Sequence, residues 1–166
     1  MTTGTNSTAL TDAATTADRS LARLEAVLGR IGDGDLHLAH RNGGWTPAQL
    51  VSHISLSTLV WLGDMERLRQ DPELGFFFRE EIGHDAVGYP PPTAELAARK
   101  VASTRRTLAT CLPATDPAVL ERTVEIPDLG TMTVSDWIPL IVGHLTGHVD
   151  QAFEVLADRG ALPEGA

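Results

Sequence analysis

Two histidines four residues apart, His144 and His148, fall on one helical stripe with Trp137, Ile141, Ala152 and Val155. Apolar residues recurring at three and four mark a helix with one face in a core. Imidazoles on that face constrain the fold, because polar groups in a core need partners. At about 1.5 Å rise per residue the two rings lie roughly 6 Å apart along the axis, so both can reach one ion. A second segment repeats the pattern with one histidine: Leu50, His53, Ile54, Ser57 and Trp61, with Leu68 further on. Three imidazoles from two helices hold one face of a metal ion and leave other positions open, as catalytic sites do. A chance histidine pair is the competing reading. A third inward histidine on a second helix, and the cost of burying three unpaired imidazoles, favour the ion. The expected metal ligands are His53, His144 and His148.

Four long helices account for most of the remaining pattern. A first helix is predicted from about Thr11 to Ile31, with Leu21, Leu24, Val27, Leu28 and Ile31 on its inner stripe and Gly32-Asp33-Gly34-Asp35 ending it. The second starts at Thr46, a good N-cap, followed by Pro47 at the first helical position, and runs to about Gln70. The third starts at Thr93 and ends near Leu112-Pro113. The fourth starts at Thr133, with Asp136 three residues on as in a weak capping box, and ends at Arg159-Gly160. Arg122 to Met132 alternates well enough for a short hairpin. The fold class expected is all-α, a four-helix bundle with a β-hairpin before the last helix. Residues 1–10 are expected as a mobile N-terminal tail, 11–160 as one bundle domain and 161–166 as a C-terminal tail. The long segment Asp71 to Pro92 is expected to border the ligand site.

Composition narrows the partners. The net charge is −9. Such a surface repels phosphate backbones and anionic headgroups, which argues against nucleic acid and membrane partners. No apolar run is long enough for a membrane span, and Met1 to Ala9 lacks the features of a secretory signal. The lone cysteine, Cys111, forms no internal disulfide and fits a reducing cytoplasm. Cys111 reads better as a small hydrophobe than as a nucleophile. Candidate substrate contacts are Ser57, Trp61, Phe77 and His84. Gly143 and Gly147 leave room beside the paired histidines. His37, His40 and His84 read as solvated loop histidines or as acid/base groups near the metal. Arg41, Arg79 and Arg99 are candidate clamps for carboxylates of a cofactor. Asp64 and Asp150 are candidate acceptors for imidazole N–H groups, though both fall off the inward stripes.

The segment Gly44-Trp45-Thr46-Pro47-Ala48-Gln49-Leu50-Val51-Ser52-His53 resembles the second-helix signature of the DinB/YfiT-like superfamily. Thr133-Val134-Ser135-Asp136-Trp137, followed by His144 and His148, resembles its last helix. The resemblance implies a bundle of DinB/YfiT type, often a homodimer, with a three-histidine site for a divalent metal ion, commonly zinc or nickel. It carries the ligands over to His53, His144 and His148. The superfamily includes thiol-dependent S-transferases and isomerases that use mycothiol, bacillithiol or glutathione, and also hydrolases. Mycothiol-dependent maleylpyruvate isomerases resemble this chain in the second-helix segment. The expected function is therefore a cytoplasmic, metal-dependent thiol S-transferase or isomerase-like enzyme. It would activate a low-molecular-weight thiol, mycothiol foremost, for attack on a small electrophile. The alternatives are a hydrolase using metal-activated water and a non-catalytic protein that binds metal or a small ligand.

Overall fold

The computed structural model describes residues 3–71, 73, 87–126 and 129–166, with the side chains of 3–7 excepted. Four long helices form the body: α1 (Thr3–Leu28), α3 (Pro47–Gln70), α4 (Ala94–Cys111) and α6 (Val134–Asp158). Two single-turn helices, α2 (Asp33–Leu36) and α5 (Pro117–Leu120), lie in the connections. Strands β1 (Thr123–Ile126) and β2 (Gly130–Thr133) pair antiparallel, with Thr123 opposite Thr133 and Ile126 opposite Gly130. Among the described residues this is the only sheet, and no helix is long and apolar enough to cross a membrane.

The helix ends follow side-chain chemistry. Thr46 Oγ1 accepts from the Gln49 amide at 3.3 Å, and Gln49 Oε1 accepts from the Thr46 amide at 2.9 Å, a reciprocal capping box at the start of α3. Thr93 and Thr133 cap α4 and α6 through one backbone amide each, their hydroxyls accepting from the Leu96 and Asp136 amides. Gly160 follows α6 with φ +69°, a left-handed conformation that glycine adopts without a Cβ penalty. The α6 helix continues through Pro139.

The first helix departs from expectation. It begins at Thr3, well before Thr11, and so takes in most of the segment expected as a tail. The inner stripe extends backwards through Ala17, Ala14 and Leu10, all buried, so the core reaches further up the chain than the leucine-rich part suggested. At the other end, the Glu164 carbonyl accepts from Arg30 Nη2 at 2.8 Å, which holds 161–166 near the end of α1.

Packing sets which helices share a face. The α1 helix packs on α4 and α6, and α3 also packs on α4 and α6. The consecutive long helices α1 and α3 therefore lie across a diagonal of the bundle. The connection between them is tied at two points, both at one end of the bundle. Asp33 Oδ1 accepts from the Ala94 amide at 2.8 Å, and Asp158 Oδ2 accepts from the Arg41 amide at 2.8 Å. Leu21, Leu24, Leu28, Leu50, Ile54 and Leu145 are among the fully buried core side chains. Because α3 and α6 are neighbours, their inward histidines can meet.

Candidate metal centre

His53 lies in the second turn of α3, 1 % exposed. His144 and His148 lie one turn apart on α6, each partly buried. Their candidate ligand atoms all fall within 4.8 Å of one another. His53 Nε2 and His144 Nε2 are 3.0 Å apart. Two nitrogens bound tetrahedrally to zinc at 2.0–2.1 Å stand about 3.3 Å apart, so the spacing suits a shared ion. The His144 and His148 rings meet edge-on at 4.4 Å between centroids, and His53 and His148 at 4.7 Å. An all-imidazole donor set suits zinc, nickel, copper or iron, and is wrong for calcium or magnesium, which take oxygen ligands.

The surroundings hold the rings in place. Gln151, one turn beyond His148, accepts from His148 Nδ1 at 3.0 Å. That bond fixes the tautomer and leaves Nε2 as the ligand atom. Trp45, the residue before the α3 cap, lays its ring against His53 at 4.8 Å and against His148 at 5.6 Å. Trp61 meets His144 edge-on at 5.4 Å and Trp137 at 6.0 Å. Ser57 Oγ lies 3.3 Å from His53 Nε2 and is itself fully buried. The structure thus brings two of the four expected substrate contacts, Ser57 and Trp61, to the histidines. Phe77 and His84 lie outside the described residues, as do Arg79 and most of the Asp71–Pro92 segment. The described end of that segment crosses α3 at Ser52. A Cβ on Gly88, where φ is +68°, would come within 3.2 Å of Ser52 Oγ, so the close crossing depends on glycine.

Other candidates take structural places. His37 Nε2 pairs with the Pro92 carbonyl at 3.1 Å, and His40 Nε2 lies 3.7 Å from Asp158. Arg41 is also turned to Asp158. Cys111 is exposed rather than buried. Asp150 is exposed, but Asp64 is 1 % exposed and binds Arg67 Nη1 at 3.0 Å, which corrects its expected place off the inner stripe. It sits three residues after Trp61 and so shares the helix face that continues from His53 through Ser57. Gly143 and Gly147 are exposed, with open space where a Cβ would stand.

The family model of the DinB superfamily matches residues 16–152. The chain belongs to the DinB superfamily. A solved structure with the same fold is that of YfiT from Bacillus subtilis, described as "a probable metal-dependent hydrolase with an unusual four-helix bundle topology". It is 18 % identical, with a TM-score of 0.66, and the match covers 90 % of this chain and 86 % of that one. No curated protein matches the chain. The diagonal placement of α1 and α3 is the arrangement found in this DinB chain, and it is what makes α3 and α6 adjacent.

Two expectations follow for this DinB site. Gln151→Leu keeps a helix-compatible side chain and removes the acceptor for His148 Nδ1. Metal affinity should fall about 10- to 100-fold, read by competition with a chromogenic chelator. Unchanged affinity would remove Gln151 from the site. Burial pushes the His148 imidazole below its ordinary value, against the opposing hydrogen bond to Gln151. His148 is therefore neutral and ready to ligate at neutral pH, and protons compete for it only below about pH 6.5. The same depression makes the unfolded chain bind more protons in that window, so the metal-free fold should lose stability as pH falls from about 6.5. Urea midpoints of chelated protein that rise on acidification would contradict this.

Proposed function

We propose that this chain is a metal-dependent enzyme in which His53, His144 and His148 hold one divalent ion, zinc or nickel, and that its substrate is a small electrophile. The observation that carries the reading is the convergence of three imidazoles, from two adjacent helices, with tautomer control from Gln151. Such an ion, when bound, lowers the pKa of a coordinated thiol or water and makes it a nucleophile at neutral pH. The protein's part is to hold the three rings, with Trp45 and Trp61 packed against them to limit solvent. Ser57, beside His53 Nε2, is placed to orient a group entering the site.

The likeness of the second-helix segment to mycothiol-dependent enzymes supports a low-molecular-weight thiol, mycothiol first, as the nucleophile. The chain's one thiol, Cys111, is not part of the histidine cluster, which fits a thiol that arrives with the cofactor. Water as the nucleophile is the second reading, supported by the description of YfiT as a metal-dependent hydrolase. The enzyme is proposed to work in the cytoplasm as a homodimer, which light scattering would test.

Zinc- or nickel-loaded protein incubated with electrophiles, with and without mycothiol, bacillithiol or glutathione, separates the readings. Conjugate formation that needs a thiol supports S-transfer. Thiol-independent cleavage of esters or amides supports hydrolysis. Saturable binding without turnover would leave a metal or ligand carrier and overturn the enzyme.

A further inference from the structure

A groove of about 730 Å³ runs between the Tyr89–Pro92 segment and α4. None of the three histidines lines it. Among the described residues its charged side chains are Arg99, Lys100 and Arg106, with no carboxylate in the lining. That is unexpected in a chain with 22 acidic and 13 Lys and Arg residues. The contrast with the neighbouring Arg105 is direct. Arg105 is neutralised by Asp18 at 2.9 Å and Glu25 at 2.6 Å. Among the described residues, Arg99 and Arg106 have no ion-pair partner. Lys100 is held by neutral oxygens alone, donating to Ser52 Oγ at 3.0 Å and to the Tyr89 carbonyl at 3.2 Å. An ammonium has three donors, so one remains for a ligand. The rest of the lining is largely apolar: Tyr89 is 94 % exposed and Leu96, on α4, is 43 % exposed, beside Pro92.

We propose that this groove is a docking site for a small organic anion, one carboxylate or phosphate on an apolar body. Lys100, fixed on Ser52, is the anchor, and Arg99 and Arg106 add charge from the rim. Tyr89, Pro92 and Leu96 cover the apolar part. The volume falls in the usual range for small-molecule sites, and a few placed polar groups on an apolar wall are how such sites fix orientation. The cationic lining also gives an anion a locally favourable face on an acidic protein. Occupancy does not require an ion at the histidines, so it extends beyond the proposed reaction.

The test is titration of the full chain, followed by calorimetry, with benzoate, phenyl phosphate, inorganic phosphate and neutral benzyl alcohol. Saturable binding of at least one phenyl anion is expected, tighter than inorganic phosphate, with none for benzyl alcohol. Which phenyl anion binds more tightly tells a carboxylate site from a phosphate site. Added salt should weaken binding, since the contacts are partly exposed. The double variant Arg99→Gln, Arg106→Gln changes only exposed side chains and should raise Kd by about tenfold with melting unchanged. Lys100→Met should do at least as much. Failure of both phenyl anions to bind the wild type would overturn the proposal. So would benzyl alcohol binding as well as benzoate, or an unchanged Kd in the double variant. Chelator-treated and metal-loaded protein should bind alike, so a failure here leaves the three-histidine reading standing.

Discussion

His148→Ala protein is expected to fold normally and to purify nearly free of metal. The wild type should carry close to one divalent ion per chain after metal loading. The three imidazoles act together, and removing a direct ligand costs more than the roughly 100-fold that follows loss of an outer partner. Two imidazoles on separate helices then hold the ion without the geometry that His148 completes. The fold should survive because Leu145, Val149 and Ala152, the neighbouring core residues of α6, are untouched. Removing a half-buried imidazole also relieves the metal-free protein of a polar group. Elemental analysis of both proteins, with circular dichroism as the control on folding, decides the matter. Equal metal content in the two would make these ordinary core histidines and remove the main support for an enzyme.

The opposite result is expected from Leu24→Ala. Leu24 is fully buried on α1, which like α4 contributes no histidine to the site. Truncation loses the transfer free energy of the side chain and leaves a cavity that a packed bundle only partly collapses, together about 2–5 kcal/mol. For a domain of this size that corresponds to a melting temperature lower by roughly 5–15 °C. Metal affinity at a temperature where the variant is folded should match wild type. A variant that melts with the wild type would mean that α1 is only loosely docked. A variant that loses metal as well would mean that α1 helps shape the α3–α6 interface. Together the two substitutions separate what holds the bundle from what holds the ion.

Much of this arrangement is legible in the sequence, for identifiable reasons. Thr46-Pro47, Thr93 and Thr133 mark helix starts because a capping oxygen and a pre-set proline φ act locally. The histidines were legible because helical period alone sets which residues share a face. The start of α1 was harder, since its first turns are built of Thr, Asn, Ser and Ala, which carry little apolar signal, and only Leu10 shows that the core continues. The single turns α2 and α5 are too short for periodicity to register, although Asp116-Pro117 has the cap-then-proline form that begins α5. Asp64 falls off the inward stripe only if that stripe skips from Trp61 to Leu68; a step of three from Trp61 reaches it, and its carboxylate is buried beside Arg67. Trp45 and Gln151 were missed as site residues. Both had a local signal: Trp45 precedes an N-cap, where an apolar residue folds back over the first turn, and Gln151 stands three residues after His148 on one helix face. The groove along α4 had no such signal. Its lining joins α4 to a distant segment, brought together by the crossing of Gly88 over Ser52 and the Lys100 bond to the Tyr89 carbonyl.

The chain contains three tryptophans, and all three lie at the histidine cluster: Trp45 on His53 and His148, Trp61 on His144, and Trp137 on Trp61. The ultraviolet emission of the whole molecule therefore originates from one small region. A paramagnetic ion such as nickel or cobalt entering that region should quench it, whereas closed-shell zinc should instead shift its intensity by placing positive charge beside the indole rings. An unlabelled sample in a fluorimeter can thus tell which ion has arrived, and how fast it leaves.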